Sequence, residues 1–259
     1  VPISARPQGT QGNRVPYTAC VLPFLSIALW KERTDARSRR KHLATALLML
    51  LLILISQSRS AWVGLAVLLA AHALLMLRNN IRAAARPAGA VALMLLGSLL
   101  IPATRQRIVS TAQNYHLSEV NISHRLASYS TVAALKGHAL FGVGYGQYPQ
   151  VYRPYYNGPA PWVSSPDNQY LRWLIETGIA GTIALFVFLG IIIRRGLNAI
   201  SKMADPQDAE LYKALLAGWA GLAATFLFFD GFYWAACNMT FWSLLWLFAT
   251  CLKPRTAPE

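Results

Sequence analysis

The sequence predicts an all-α integral membrane protein of about seven transmembrane helices, organised as a single domain over residues 1–259. Three observations carry that prediction. Hydrophobic residues fill 55% of the chain and charged residues only 13%, where a soluble domain carries about 25% charged residues. Apolar runs of near-spanning length recur at 16–30, 42–57, 62–77, 87–103, 170–193, 214–229 and 235–252. The basic residues between those runs then fall on alternate sides of the membrane the runs would cross.

Taken in order, the N-terminal stretch VPISARPQGTQGNRVPY leads into the run 16–30 from the outer face. It has neither Met at position 1 nor a signal peptide, so the expectation is that earlier spans precede it. The loop KERTDARSRRK (31–41) holds six Lys or Arg, RNNIRAAAR (78–86) three, the stretch 194–213 four and the tail CLKPRTAPE two. These 15 of the 24 basic residues share one side if all seven runs cross, which is the positive-inside pattern of cytoplasmic loops. The net charge of +14 therefore reports topology, and no nucleic-acid partner is expected. The same alternation places the turn SRSAW, the long segment 104–169 and DGFYW outside. Cys20, Cys237 and Cys251 show no CxxC or His-paired spacing, so neither a disulfide nor a zinc site is expected.

The outer segment 104–169 is too long for a plain connection, and segments of that length inside a compact domain are usually functional. It carries Arg105, Arg107, Arg125, Lys136 and Arg153 against Glu119 and Asp167, a surplus suited to an anionic ligand. In ISQSRSAWVGL (55–65) two spans meet with almost no loop, so Arg59 sits at the depth of lipid phosphates. There it either snorkels to headgroups or grips the phosphate of a particular lipid. From Ser123 to His138, apolar residues at Leu126, Tyr129, Val132, Ala133 and Leu135 predict an amphipathic helix on the outer surface. FGVGYGQY then breaks it. That stretch lacks the Lys and Ser/Thr of a phosphate-binding P-loop, and reads as a tight turn.

Smaller expectations follow from residue type. His124 and His138 flank the surface helix and read as solvated, whereas His72 lies inside an apolar run and needs a neighbouring helix to satisfy it. Tyr145, Tyr148, Tyr152, Tyr155, Tyr156 and Trp162 are suited to stacking on sugars, although aromatic residues are ordinary at a membrane interface. Arg172 and Glu176 stand at i,i+4 and can pair within one helix. Asp230 reads as a helix cap.

Three segments in order, SQSRSAWVGL, HRLASYSTVAALKGHALFGVGYGQY and DNQYLRWLIETGIAG, together with the N-terminal RPQGTQGNRVPYTACVLPFLSIAL, resemble the C-terminal half of the O-antigen ligase and polymerase superfamily. Asn13-Arg14-Val15-Pro16 departs from the superfamily's Asn-Pro-Asn pattern. The resemblance implies a helical bundle of the GT-C type. It also implies glycan transfer at the periplasmic face of the bacterial inner membrane, from an undecaprenyl-diphosphate carrier to lipid A core or a growing polysaccharide. The ligase branch implies inversion without a metal or other cofactor. Arg59 matches the arginine of the superfamily's Ser-Arg motif, and Arg125 the arginine opening its outer helix. Asp167 stands where ligases commonly have a catalytic His, followed by Asn168, Tyr170, Leu171, Glu176 and Gly178 in register. An Asp there resembles other branches, including polymerases.

Elementary chemistry points to the same residues. Breaking a sugar–diphosphate bond develops negative charge on the leaving group, which Arg59 and Arg125 are suited to absorb. A hydroxyl acceptor must lose its proton, and Asp167 is the candidate base. Asn168, Tyr170, Arg105 and Arg153 are the candidate substrate-binding residues. A transporter or a lipid-linked glycan flippase is the alternative, but such proteins place ionisable groups near the bilayer midplane. Here the charges gather at the outer boundary.

Overall fold

The computed structural model describes residues 14–56, 58–77, 120–159 and 165–250, and every regular element among them is helical. The α-helices are α1 (Arg14–Thr34), α2 (Arg39–Ser56), α3 (Arg59–Leu77), α4 (Val120–Ser128), α5 (Tyr148–Val151), α6 (Gln169–Ile200), α7 (Pro206–Thr225) and α8 (Ala235–Thr250). Helices occupy most of six of the seven apolar runs; the run 87–103 lies outside the described residues. The described residues form two compact units, 14–77 with 192–225 and 234–250, and 120–191 with 226–233.

The first unit packs α1, α2, α3, α7 and α8. Leu22, Leu25, Ile53, Leu65, Leu68 and Leu69 form its apolar centre. Small residues let the helices approach: a Cβ on Gly64 of α3 would lie 2.8 Å from the Gly221 carbonyl of α7, and one on Gly221 would lie 2.8 Å from the Gly64 carbonyl. Close backbone approach of this kind is how apolar helices associate where burial from water cannot drive them together. The expected partner of buried His72 is Ser26 of α1, at 2.7 Å, and the Ser26 hydroxyl donates to the Ala214 carbonyl at 2.6 Å. This polar tie joins α1, α3 and α7. Cys20 and Cys237 are brought together from opposite ends of the chain as free thiols, with their sulfurs 3.3 Å apart.

The connection between α2 and α3 explains the serines around Arg59. Ser56, Ser58 and Ser60 are all buried. Ser56 donates to the Ile53 carbonyl at 2.7 Å, and the Ser58 and Ser60 hydroxyls meet at 2.9 Å. The Ser56 hydroxyl also accepts the Ser58 amide, at 3.3 Å, so these buried hydroxyls bond within the connection itself.

The second unit is built around a broken helix. α6 is the one described helix long and apolar enough to cross a membrane. It is interrupted at Gly178, whose φ of 69° and ψ of −171° suit glycine alone. From Ile179 to Ile200, at 1.5 Å per residue, the remainder is about 33 Å long, close to the hydrocarbon thickness of a bilayer. Ile179, Ile183, Val187 and Ile191 recur every fourth residue and are exposed, as are Leu43, Leu47, Leu51 and Ile55 on α2. Such apolar stripes are suited to lipid and not to water.

The break strands backbone groups, and the glycine-rich loop satisfies them. Val143 and Gly144 donate to the carbonyls of Ile175 and Glu176, both at 3.0 Å. In return Ile179 and Ala180 donate to Ala139 and Leu140 at 2.9 and 3.0 Å. Gly142, at φ 73°, has no room for a side chain: a Cβ would lie 2.5 Å from the Glu176 carbonyl and from Gly178 N. FGVGYGQY is thus the other half of the helix break. The surface helix expected from Ser123 begins at Val120, and from Tyr129 to Leu135 it tightens into a 3₁₀ helix. The apolar run 214–229 also differs from expectation. Helix α7 stops at Thr225, and Phe226–Tyr233 folds into turns against the start of α6.

Candidate functional site

Five of the seven candidate residues, Arg125, Arg153, Asp167, Asn168 and Tyr170, belong to the second unit. Asp167 lies two residues before α6 with φ of 48°, the one non-glycine residue with positive φ among the described residues. Asp tolerates this left-handed conformation better than most residues. Its amide donates to the Ser165 hydroxyl at 3.1 Å, which secures the turn. The carboxylate Oδ2 then faces Arg125 Nε at 3.8 Å, with both side chains 31% exposed. Arg125 Nε itself is buried, and the exposed part of each side chain lies beyond it, where a ligand has room to approach.

Arg125 is held from its other side. Nη2 donates to the Phe228 carbonyl at 2.9 Å, and the guanidinium lies 5.6 Å from the centroid of the Phe228 ring. Its neighbour His124 corrects the expectation of a solvated histidine, since it is 4% exposed. Nε2 donates to the Ser165 carbonyl at 2.7 Å, and Nδ1 lies 2.7 Å from the Tyr156 hydroxyl. His124 therefore ties the surface helix to the turn that presents Asp167.

Asn168 caps α6. Its Oδ1 accepts the amides of Tyr170 and Leu171 at 3.0 and 3.1 Å, leaving Nδ2 3.5 Å from the Tyr129 hydroxyl. The Tyr170 ring stacks on Phe186 at 6.0 Å. Arg153 opens a short 3₁₀ helix and is exposed. Arg59 is the first residue of α3, in the other unit, and is partly exposed. Arg105 lies outside the described residues. Of the aromatic residues suited to sugars, Tyr148 and Tyr152 are instead buried and stacked on each other, at 5.6 Å. Tyr145 and Tyr155 remain exposed, and Trp162 lies outside the described residues.

Behind the pair stands a buried charge cluster that sequence reasoning only half recovered. Arg172 pairs with Glu176 as the i,i+4 spacing allows, Nε to Oε1 at 3.0 Å. It also pairs with Asp230, Nη1 to Oδ2 at 2.7 Å, so Asp230 is an ion-pair partner in place of the expected cap. Side-chain exposures are 4% for Arg172, 1% for Glu176 and 5% for Asp230. Glu176 Oε1 also accepts the Tyr233 hydroxyl at 3.0 Å and the Tyr148 amide at 3.2 Å. The Arg172 guanidinium lies over the Tyr233 ring, 3.2 Å from its centroid. Burial pushes the Asp230 carboxyl above the usual carboxylate range, against the opposing pull of Arg172. Burial also pushes the Tyr148 hydroxyl up to about 12. Among the described residues, no three of His, Cys, Asp and Glu converge in a way that would hold a metal ion.

Among the described residues, the helices, their lipid-suited apolar faces and one helix long and apolar enough to cross a membrane have the organisation of a membrane protein, with a carboxylate–guanidinium pair where that helix begins. The sequence profile of the O-antigen ligase family (Wzy_C) matches residues 44–186, more than half of the chain, so the protein belongs to that family of membrane proteins. Its function is accordingly of the O-antigen ligase or polymerase type. No curated protein matches the chain.

Proposed function

We propose that the protein transfers a glycan from undecaprenyl diphosphate to a sugar hydroxyl, on lipid A core or on a growing polysaccharide, at the periplasmic face of the inner membrane. In this reading the chain crosses the membrane seven times, with 104–169 outside. The observation that carries the reading is the partly exposed Asp167–Arg125 pair, poised on a left-handed turn where α6 begins.

The acceptor oxygen attacks the anomeric carbon and gives its proton to Asp167. The bond from that carbon to the diphosphate oxygen breaks, and the electron pair leaves with undecaprenyl diphosphate. A single displacement of this kind inverts the anomeric centre. Arg125 and Arg59 supply the positive charge for the leaving diphosphate, so the step needs no metal. Arg125 is suited to that work because Phe228 fixes its guanidinium before the substrate arrives. Asn168 through Nδ2, Tyr170, Arg105 and Arg153 contact the substrate.

The test is transfer from a lipid-linked repeat unit, with and without lipid A core, normalised to folded, monodisperse enzyme. Asp167→Asn is expected to slow the chemical step about 10²- to 10⁴-fold. Arg125→Lys and Arg59→Lys are each expected to lower transfer roughly 10- to 100-fold, because a point charge cannot reproduce a bidentate grip. Unchanged normalised turnover in Asp167→Asn removes the base from the mechanism.

A further inference from the structure

Phe226–Tyr233 is fastened to one face of α6 at three levels. At the first, Gln169 N donates to the Phe226 carbonyl and Phe232 N donates to Gln169 Oε1, both at 2.8 Å. At the second, Arg172 holds Asp230 at 2.7 Å. At the third, the Tyr233 hydroxyl reaches Glu176 at 3.0 Å. Gln169, Arg172 and Glu176 stand at i, i+3 and i+7, the spacing that puts side chains on a single face of a helix. Aromatic contacts stiffen the segment internally: Phe226 lies edge-on to Phe229 at 5.5 Å and to Phe232 at 5.4 Å. Only the middle fastening is an ion pair, and it lies two residues from Phe228, whose carbonyl and ring hold Arg125.

We propose that Asp230 is a positioning residue for Arg125: clamped by Arg172, it fixes the Phe228 carbonyl and ring, and they in turn set where the Arg125 guanidinium meets a diphosphate. The inference rests on Arg125 being the diphosphate ligand, as proposed above. A buried ion pair of this kind is weak support for stability alone. Its geometric result is what matters here, because three residues of α6 and a turn more than fifty residues away are locked into one register.

The experiment is a double-mutant cycle on binding of farnesyl diphosphate, a short polyprenyl diphosphate, to the full chain in detergent, counting only folded, monodisperse protein. Arg125→Ala is expected to weaken binding about tenfold, the loss of a charge-assisted contact. Asp230→Asn is expected to weaken it severalfold in the wild-type background and to have no further effect once Arg125 is alanine. Phe228→Leu, which leaves the Arg172–Asp230 pair intact, is expected to show the same dependence on Arg125 and tests the last contact alone, and Asp230→Glu, which keeps the charge but displaces it, decides the matter if Asp230→Asn does not fold. Equal losses in both backgrounds overturn the positioning role while leaving the reading of Arg125 intact. Binding that is undetectable in the wild type, or undiminished in Arg125→Ala, overturns both.

A separate observation carries a second inference. Cys20 lies in the first two turns of α1 and Cys237 in the first turn of α8, and Cys237 also reaches the Pro16 carbonyl at 3.5 Å. We infer that the pair is oxidised to a disulfide stapling these two helices. The two thiols lose two protons and two electrons and form one S–S bond, and an exchange partner's disulfide takes the electrons and becomes two thiols. Acid-quenched protein from aerobic cells, denatured and alkylated without reduction, is expected to gain one label at Cys251, and three labels after reduction. Cys20→Ser is expected to gain two labels without reduction. Three labels on the unreduced wild type, or one on unreduced Cys20→Ser, overturn the assignment.

Discussion

Replacing Arg172 by methionine removes the one cation shared by two buried carboxylates. Methionine keeps much of the side-chain volume, so the dominant change is electrostatic. Glu176 retains the Tyr233 hydroxyl and the Tyr148 amide as donors, whereas Asp230 loses the 2.7 Å bond that compensates its burial. Breaking a buried pair costs about 3–5 kcal/mol, and for a chain of this size that lowers Tm by roughly 6–20 °C. The sign of the pH dependence follows from Asp230. Its carboxyl is already raised by burial, and losing Arg172 removes the main interaction that opposes that rise, leaving the weaker hydrogen bond from Ser165. Stability is then present at low pH, where the carboxyl is protonated in both the folded and unfolded states, and is lost as pH rises through the raised folded value. Thermal unfolding in lipid nanodiscs, followed by tryptophan fluorescence, should therefore show a gap between Arg172→Met and wild type that narrows as pH falls from 7 toward 5. Adding Glu176→Gln and Asp230→Asn to Arg172→Met should recover most of the loss, because a neutral cluster carries no ionic desolvation cost. Arg39→Met is the control: it breaks a 2.7 Å pair with Glu32 in which Arg39 is 57% exposed, worth at most about 1 kcal/mol. An Arg172→Met protein melting within about 2 °C of wild type at pH 7 refutes the reasoning, since the 3–5 kcal/mol assigned to the pair requires a larger shift.

Gly178→Ala should cost about 1–3 kcal/mol from backbone strain alone. Its Cβ would also meet the Leu140 carbonyl and Gly142 N, so limited proteolysis should show earlier cleavage within 137–146. With Tyr148 pushed up to about 12, its contribution to stability is present below the unfolded value near 10 and is lost as pH rises from there toward 12. Tyr148→Phe should flatten that alkaline loss in a thermal-melt series. For topology, Ser118→Cys should react with a membrane-impermeant maleimide added to intact cells with a permeabilised outer membrane, and Ser38→Cys should not; the reverse labelling pattern would invert the proposed orientation.

The sequence determined what depends on composition and on neighbours along the chain. Membrane class is legible because apolar and basic residues sort into runs. The Arg172–Glu176 pair is legible because both partners share one helix face at a fixed spacing. The family is legible because its motifs are contiguous stretches, the last of which presents Asp167 and Asn168. Tertiary structure decided the rest, and sequence distance is the reason. Asp230 pairs with Arg172 across 58 residues, Arg125 reaches the Phe228 carbonyl across 103, and Cys20 meets Cys237 across 217. None of these pairings has a period or a local signature. The glycine-rich loop shows both sides of this division. Its glycines announce backbone that other residues cannot adopt, but the partner is fixed only when a helix 30-odd residues downstream breaks at Gly178 and exposes carbonyls and amides that burial requires to be paired.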